Sequence, residues 1–143
     1  GRVSVNVGTF NAVIGACVGA AEGDGVGQAL RLYGLMWDVK PNAQTYGMLV
    51  DGCCRTKRAL EAVSVLMSMR EKGMQPDTGM YVSVVTTCER AREYKAALDV
   101  YDVMTEDGVN FYESALLDGA LKRLLKFSKV VRKGVNLDED FLF

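Results

Sequence analysis

Residue types recur along this 143-residue chain in a fixed order, about every 35 positions. Tyr46 answers Phe10, 36 residues behind it, and Tyr81, 35 ahead. Cys53 answers Cys17 and Cys88 at the same 36 and 35. Ala62 answers Ala29 and Ala97, and Met69 answers Met36 and Met104, each at 33 and 35. Gly73 pairs with Gly108, and Pro41 with Pro76, at 35. Several residue types in one order at one period mark a tandem repeat, in which each unit buries its apolar face only against its neighbours. The two spacings of 33 follow from a longer turn within 19–27 and a second helix shortened before Pro41.

The unit is clearest between Ala43 and Asp77. Tyr46, Leu49, Val50 and Cys53 fall at i, i+3, i+4 and i+7, the apolar stripe of a helix. Ala62, Leu66 and Met69 carry a second stripe, and Thr56, Lys57 and Arg58 form the polar break between the two. Gly73 is placed to close the second helix in a left-handed conformation, Pro76 prevents its resumption, and Asp77 caps the helix that follows.

The period divides the chain. Residues 1–6 read as the trailing end of a preceding repeat, 7–42 as repeat 1, 43–77 as repeat 2, 78–112 as repeat 3, and 113–143 as a degenerate repeat and tail. In repeat 1 the helices read as TFNAVIGACVGA and QALRLYGLMWDV around a mobile Gly-rich turn, with Trp37 packing on the next repeat. In repeat 3 they read as 79–90 and 94–107. In the last unit Leu116, Leu117, Ala120, Leu121 and Leu124 give a helix face, 126–135 a basic second helix, and NLDEDFLF an end that fits no repeat. The fold class is all-α. No apolar run approaches the roughly 18 residues of a membrane span.

No catalytic chemistry is legible, and the chain reads as a non-enzyme. There is no histidine, so general-base or triad chemistry would fall to residues whose spacing marks no pocket. Three of the four cysteines share one repeat position on an apolar face, so they are expected in the core rather than on zinc or in a disulfide. The AEGDGVG turn lacks the Lys-Ser/Thr ending and preceding strand of a phosphate loop. No cofactor is expected. The net charge of −1 does not by itself announce a nucleic-acid partner, although a local basic stripe is compatible with it.

The phrase T-Y-x-x-L-V-x-x-C followed by A-x-x-x-L-x-x-M-x-x-x-G-x-x-P-D, complete between Thr45 and Asp77, resembles the pentatricopeptide repeat family. It is close in 9–42 and 80–108 and weak beyond. The tetratricopeptide signature is absent. The resemblance implies a right-handed α-solenoid of helical hairpins whose first helices line the concave side. It also implies single-stranded RNA as ligand and a chloroplast or mitochondrial location. RNA processing, stabilisation or translation would be the role. A second reading from another class is a protein–protein scaffold in an organellar ribosome, transcription or other assembly, with the RNA code decayed.

In that family one repeat can read one base, through the residue after the helix-A aromatic and the last residue of the repeat. The resemblance assigns these places to Asn11 and Asn42, a pair suited to a pyrimidine, then to Gly47 and Asp77, where half of the code is missing, and to Val82, which cannot hydrogen-bond. The aliphatic residue that sandwiches a base is replaced by Gly8, Gln44 and Gly79. Arg55, Arg90 and Lys122 stand near the ends of successive first helices, as backbone-phosphate contacts would, with Asp51, Glu89 and Asp118 beside them offsetting part of the field.

Overall fold

In the computed structural model of the chain, the structure describes residues 6–20, 22–109, 119–120 and 122–126. Six helices follow one another: α1 (Val7–Val18), α2 (Gly25–Gly34), α3 (Ala43–Arg55), α4 (Ala59–Glu71), α5 (Thr78–Arg90) and α6 (Tyr94–Glu106). No strand occurs among the described residues. The first helices α1, α3 and α5 pack on one another in order. Each second helix backs its own first helix, and α2 and α4 also touch the first helix of the next repeat. The result is an α-solenoid, and no helix among the described residues is long and apolar enough to cross a membrane.

Side chains set the starts of the first helices. Asn6, Asn42 and Asp77 accept the N–H of Thr9, Thr45 and Met80 respectively, satisfying donors that a helix start leaves free. At Asn42 the Thr45 hydroxyl answers the cap's own N–H, completing a capping box. The second helices end as the glycines suggest. Gly73 and Gly108 have φ of 80° and 70°. The Met74 N–H reaches the Met69 carbonyl at 3.1 Å and the Gly73 N–H that of Arg70 at 2.9 Å, the double closure of a left-handed C-terminal cap, which Val109 and Gly108 repeat on Met104 and Thr105 at 3.2 and 3.0 Å.

The repeat spacing becomes a core. Tyr46, Leu49, Val50 and Cys53 of α3, and Tyr81, Val84, Val85 and Cys88 of α5, are all buried. Ala29, Ala62 and Ala97 are fully buried on successive second helices, where a small residue permits close approach. Burial pushes the thiols of Cys53 and Cys88 up to about 11. All four cysteines are free. In α1 the same row is less covered: Phe10 and Cys17 are half-buried and Val13 is exposed, because no described helix lies on its outer flank. The expected burial therefore holds for Cys53 and Cys88 and only partly for Cys17.

Two expectations about repeat 1 are corrected. Its second helix runs over 25–34 rather than 28–39, so Trp37 lies beyond it in a bend and is 87 % exposed instead of packed on the next repeat. The glycine-rich turn is also shorter than expected, because α2 already begins at Gly25. Asp24 caps α2 through the Gly27 N–H, and a Cβ on Gly25 would stand 2.0 Å from the Cys17 carbonyl oxygen. Glycine is required there because the end of α1 and the start of α2 nearly touch.

Of the degenerate unit, residues 119–120 and 122–126 are helical, with Ala120 and Leu124 buried. Leu116, Leu117, Leu121, residues 127–135 of the expected basic second helix and the NLDEDFLF end lie outside the described residues, as do residues 1–5 of the trailing end.

Candidate nucleic-acid interface

The outer sides of α3 and α5 enclose a continuous groove. Toward the helix starts it is a cleft of about 410 Å³ lined by Gly47, Asp77, Gly79, Asp51 and Ser83 among others. Toward the helix ends it widens to about 560 Å³, lined by Arg55, Lys57 and Arg90 and still bordered by Asp51 and Ser83. Gly47 and Asp77 are thus brought together, as are Arg55 and Arg90. A Cβ on Gly47 would meet nothing within 4 Å, so the missing side chain leaves open space. One oxygen of Asp77 is committed to the Met80 N–H at 2.8 Å as the cap of α5. Val82 is half-buried and is not among the residues that line the groove, and Gln44 is exposed.

The electrostatics of the wide end differ from a simple count of charges. Glu89 is turned away to Arg123 of the next unit and retains only 11 % side-chain exposure, so it does not offset Arg90. Arg55 does have a counter-charge: its Nε lies 2.9 Å from the Asp51 carboxylate one turn back. Both partners are exposed, and pairs of this kind are weak and readily exchanged. Lys122 is exposed on the fourth unit, while Asp118 lies outside the described residues.

Repeat 1 holds its two asparagines differently from the sequence expectation. Asn11 is only 5 % exposed. Its Nδ2 donates to Asn42 Oδ1 at 3.0 Å, and its Oδ1 receives the Thr45 hydroxyl at 2.6 Å. Asn42 Oδ1 also accepts the Thr45 N–H at 3.1 Å. Asn11 is therefore engaged inside the fold, with its amide bonded to Asn42 and Thr45. Its amide holds Asn42, which is exposed. The reason is packing: α1 against α3 brings residues 31 and 34 apart into one polar knot, where an unpaired buried amide would be costly.

Lys57 was not singled out from the sequence, where it is one of three polar residues in a turn. Only the stacking of α3 on α5 shows that it borders the same groove as Arg90.

Comparison with known proteins agrees with this architecture. The family description "PPR repeat" matches residues 44–74, and "Pentatricopeptide repeat domain" matches 72–110. A pentatricopeptide repeat-containing protein of Arabidopsis thaliana, At5g25630, is 35% identical over 69 residues, 47% of this chain and 12% of that protein. A second one from the same plant, At1g51965, carries the description mitochondrial and is 29% identical over 79 residues, 54% of this chain and 12% of its own. The Arabidopsis small ribosomal subunit protein mL103 (rPPR7) is 22% identical over 108 residues, covering 75% of this chain and 26% of its own. The PPR domain of Arabidopsis protein-only RNase P 1, solved in complex with tRNA, superposes with a TM-score of 0.64 at 17% identity, covering 88% of this chain and 74% of that one. The chain spans only about 12% of the length of At5g25630 and At1g51965.

Proposed function

Because the chain belongs to the pentatricopeptide repeat family, we propose that it binds single-stranded RNA along the open side of its first helices. The observation that carries this reading is the α3–α5 groove. It joins a cleft flanked by Gly47 and Asp77 to an end where Arg55 and Arg90 converge, both framed by helices that repeat at one spacing. A splayed strand has two needs, a place for a base edge and cations for its phosphates, and the groove has both in line. Asn42, held by Asn11, offers an amide donor at the preceding junction. The role is binding rather than catalysis. In the whole protein it would serve the processing, stabilisation or translation of organellar RNA, in a mitochondrion or chloroplast.

The test is binding of single-stranded RNA at several salt concentrations by the wild type and by Arg55→Ala combined with Arg90→Ala. Loss of two phosphate contacts should weaken binding to all sequences and reduce the slope of log K against log salt by about 1.4. Absence of salt-sensitive binding by the wild type would sink the proposal. The same outcome would favour the scaffold reading, which has its own support in the exposed Leu35 and Trp37 beyond α2. That reading predicts loss of a protein partner on Trp37→Ala.

A further inference from the structure

The turn from each first helix to its second helix, in repeats 2 and 3, holds a cation in a conformation that favours glycine. Lys57 and Arg92, 35 residues apart, both have φ of 61°. At the corresponding ends of the second helices the chain uses Gly73 and Gly108. Backbone hydrogen bonds close both turns. The Lys57 N–H reaches the Cys54 carbonyl at 3.3 Å, and the Arg58 N–H reaches that of Cys53 at 2.8 Å. The Arg92 N–H reaches Glu89 at 3.0 Å, and the Glu93 N–H reaches Cys88 at 2.9 Å. Glycine would form the same turn with less steric conflict between Cβ and carbonyl. Neither side chain contributes to the fold in return. Both are exposed, and neither makes an ion pair with any described residue.

Lys57 does have a place in the groove. It borders the wide end together with Arg90, freed by the Glu89–Arg123 pair, and Arg55. Asp51 is the one carboxylate in that lining, against three cations. We propose that Lys57 contacts a backbone phosphate of the bound single-stranded RNA, and that Arg92 repeats the contact one unit further along. This rests on the RNA-binding reading above and adds to it a residue pair outside the first helices. An ammonium on a flexible stem suits a phosphate, which needs charge but carries no sequence information. One such cation per repeat matches one nucleotide per repeat.

The experiment uses the chain as it stands, with Lys57→Gly, Arg92→Gly, their combination, and Lys57→Arg as the charge-keeping control. Thermal melts are paired with titrations of a fluorescent oligouridylate at several salt concentrations. Lys57→Gly should raise Tm by about 3–5 °C as strain is relieved. It should also lower the salt slope by about 0.7 and the affinity about fivefold at roughly 0.1 M salt. The combination should double the change in slope, and Lys57→Arg should leave affinity and Tm near wild type. Affinity that falls while Tm rises cannot come from a damaged fold. If Lys57→Gly binds as the wild type does, this proposal is overturned while the RNA reading stands. If it lowers Tm and binding together, the residue is structural and the proposal is again overturned. If the wild type itself shows no salt-sensitive binding, the reading of function fails and this proposal with it.

Discussion

Asp107 joins repeat 3 to repeat 2, and replacing it with asparagine separates its charge from its shape. Arg70 of α4 donates to it twice, through Nε to Oδ2 at 2.9 Å and through Nη2 to Oδ1 at 2.8 Å. The Tyr81 hydroxyl of α5 donates to the same carboxylate. The Asp107 side chain is 13% exposed and that of Arg70 29%, so water screens the pair only partly. The Arg70 guanidinium first, and the Tyr81 hydroxyl second, hold the carboxyl at about 2, below its ordinary 3.8. Burial, reinforced by that hydrogen bond, pushes Tyr81 up to about 12. At about 1.4 kcal/mol per pH unit, the depression of Asp107 corresponds to roughly 2.5 kcal/mol of stability. Charge-assisted hydrogen bonds of this type give a similar figure, about 1.5–3 kcal/mol.

A depressed carboxyl contributes its full stability above its unfolded pKa, near 4, and loses it as pH falls through its folded value near 2. Asp107→Asn should therefore lower Tm by about 6–9 °C near pH 7. The gap between variant and wild type should narrow below about pH 4 and close near about pH 2. Thermal melts by circular dichroism across that range are the assay. A gap that stays constant with pH, or a loss below about 2 °C near neutrality, would refute the assignment of the stability to this ion pair.

Two other substitutions probe the packing. Gly25→Ala places a Cβ against the Cys17 carbonyl oxygen, 2.0 Å away in the unrelaxed structure, and should cost about 1–3 kcal/mol in urea unfolding as α1 and α2 are pushed apart. An unchanged midpoint would mean that this approach is not tight. Ala62→Leu enlarges a fully buried seam residue of α4 and should cost a similar roughly 1–3 kcal/mol, whereas Leu60→Ala on the exposed side of the same helix should stay within about 0.5 kcal/mol.

The repeat made the fold readable because each apolar position is written at least twice. Tyr46 and Tyr81, Cys53 and Cys88, and Ala62 and Ala97 occupy equivalent buried places, and helices α3 to α6 begin and end within about two residues of where the spacing puts them. Gly73 and Gly108 took their left-handed conformation because no other residue does so at as little cost. Lys57 and Arg92 share that conformation, yet no local rule favours a cation there; the closure of a short turn between packed helices imposes it. The site was less legible than the core for the same reason. Asn11, Asn42 and Thr45 are named easily from their places in the repeat. Their mutual hydrogen bonds depend on how α1 rests on α3, which no spacing encodes. The same holds for Glu89, drawn to Arg123 34 residues away, and for Trp37, left outside by a helix that stops early at Gly34.

The central claim is that RNA lies on the first-helix side of the solenoid. Amide chemical-shift mapping by NMR on addition of single-stranded oligouridylate tests it without any mutation. The account predicts shifts concentrated on Gly47, Asp51, Arg55, Lys57, Ser83 and Arg90, which line the groove, with little change at Leu60, Ser64 and Asp99 of the second helices. Shifts centred on α4 and α6, or scattered evenly over both layers, would contradict it.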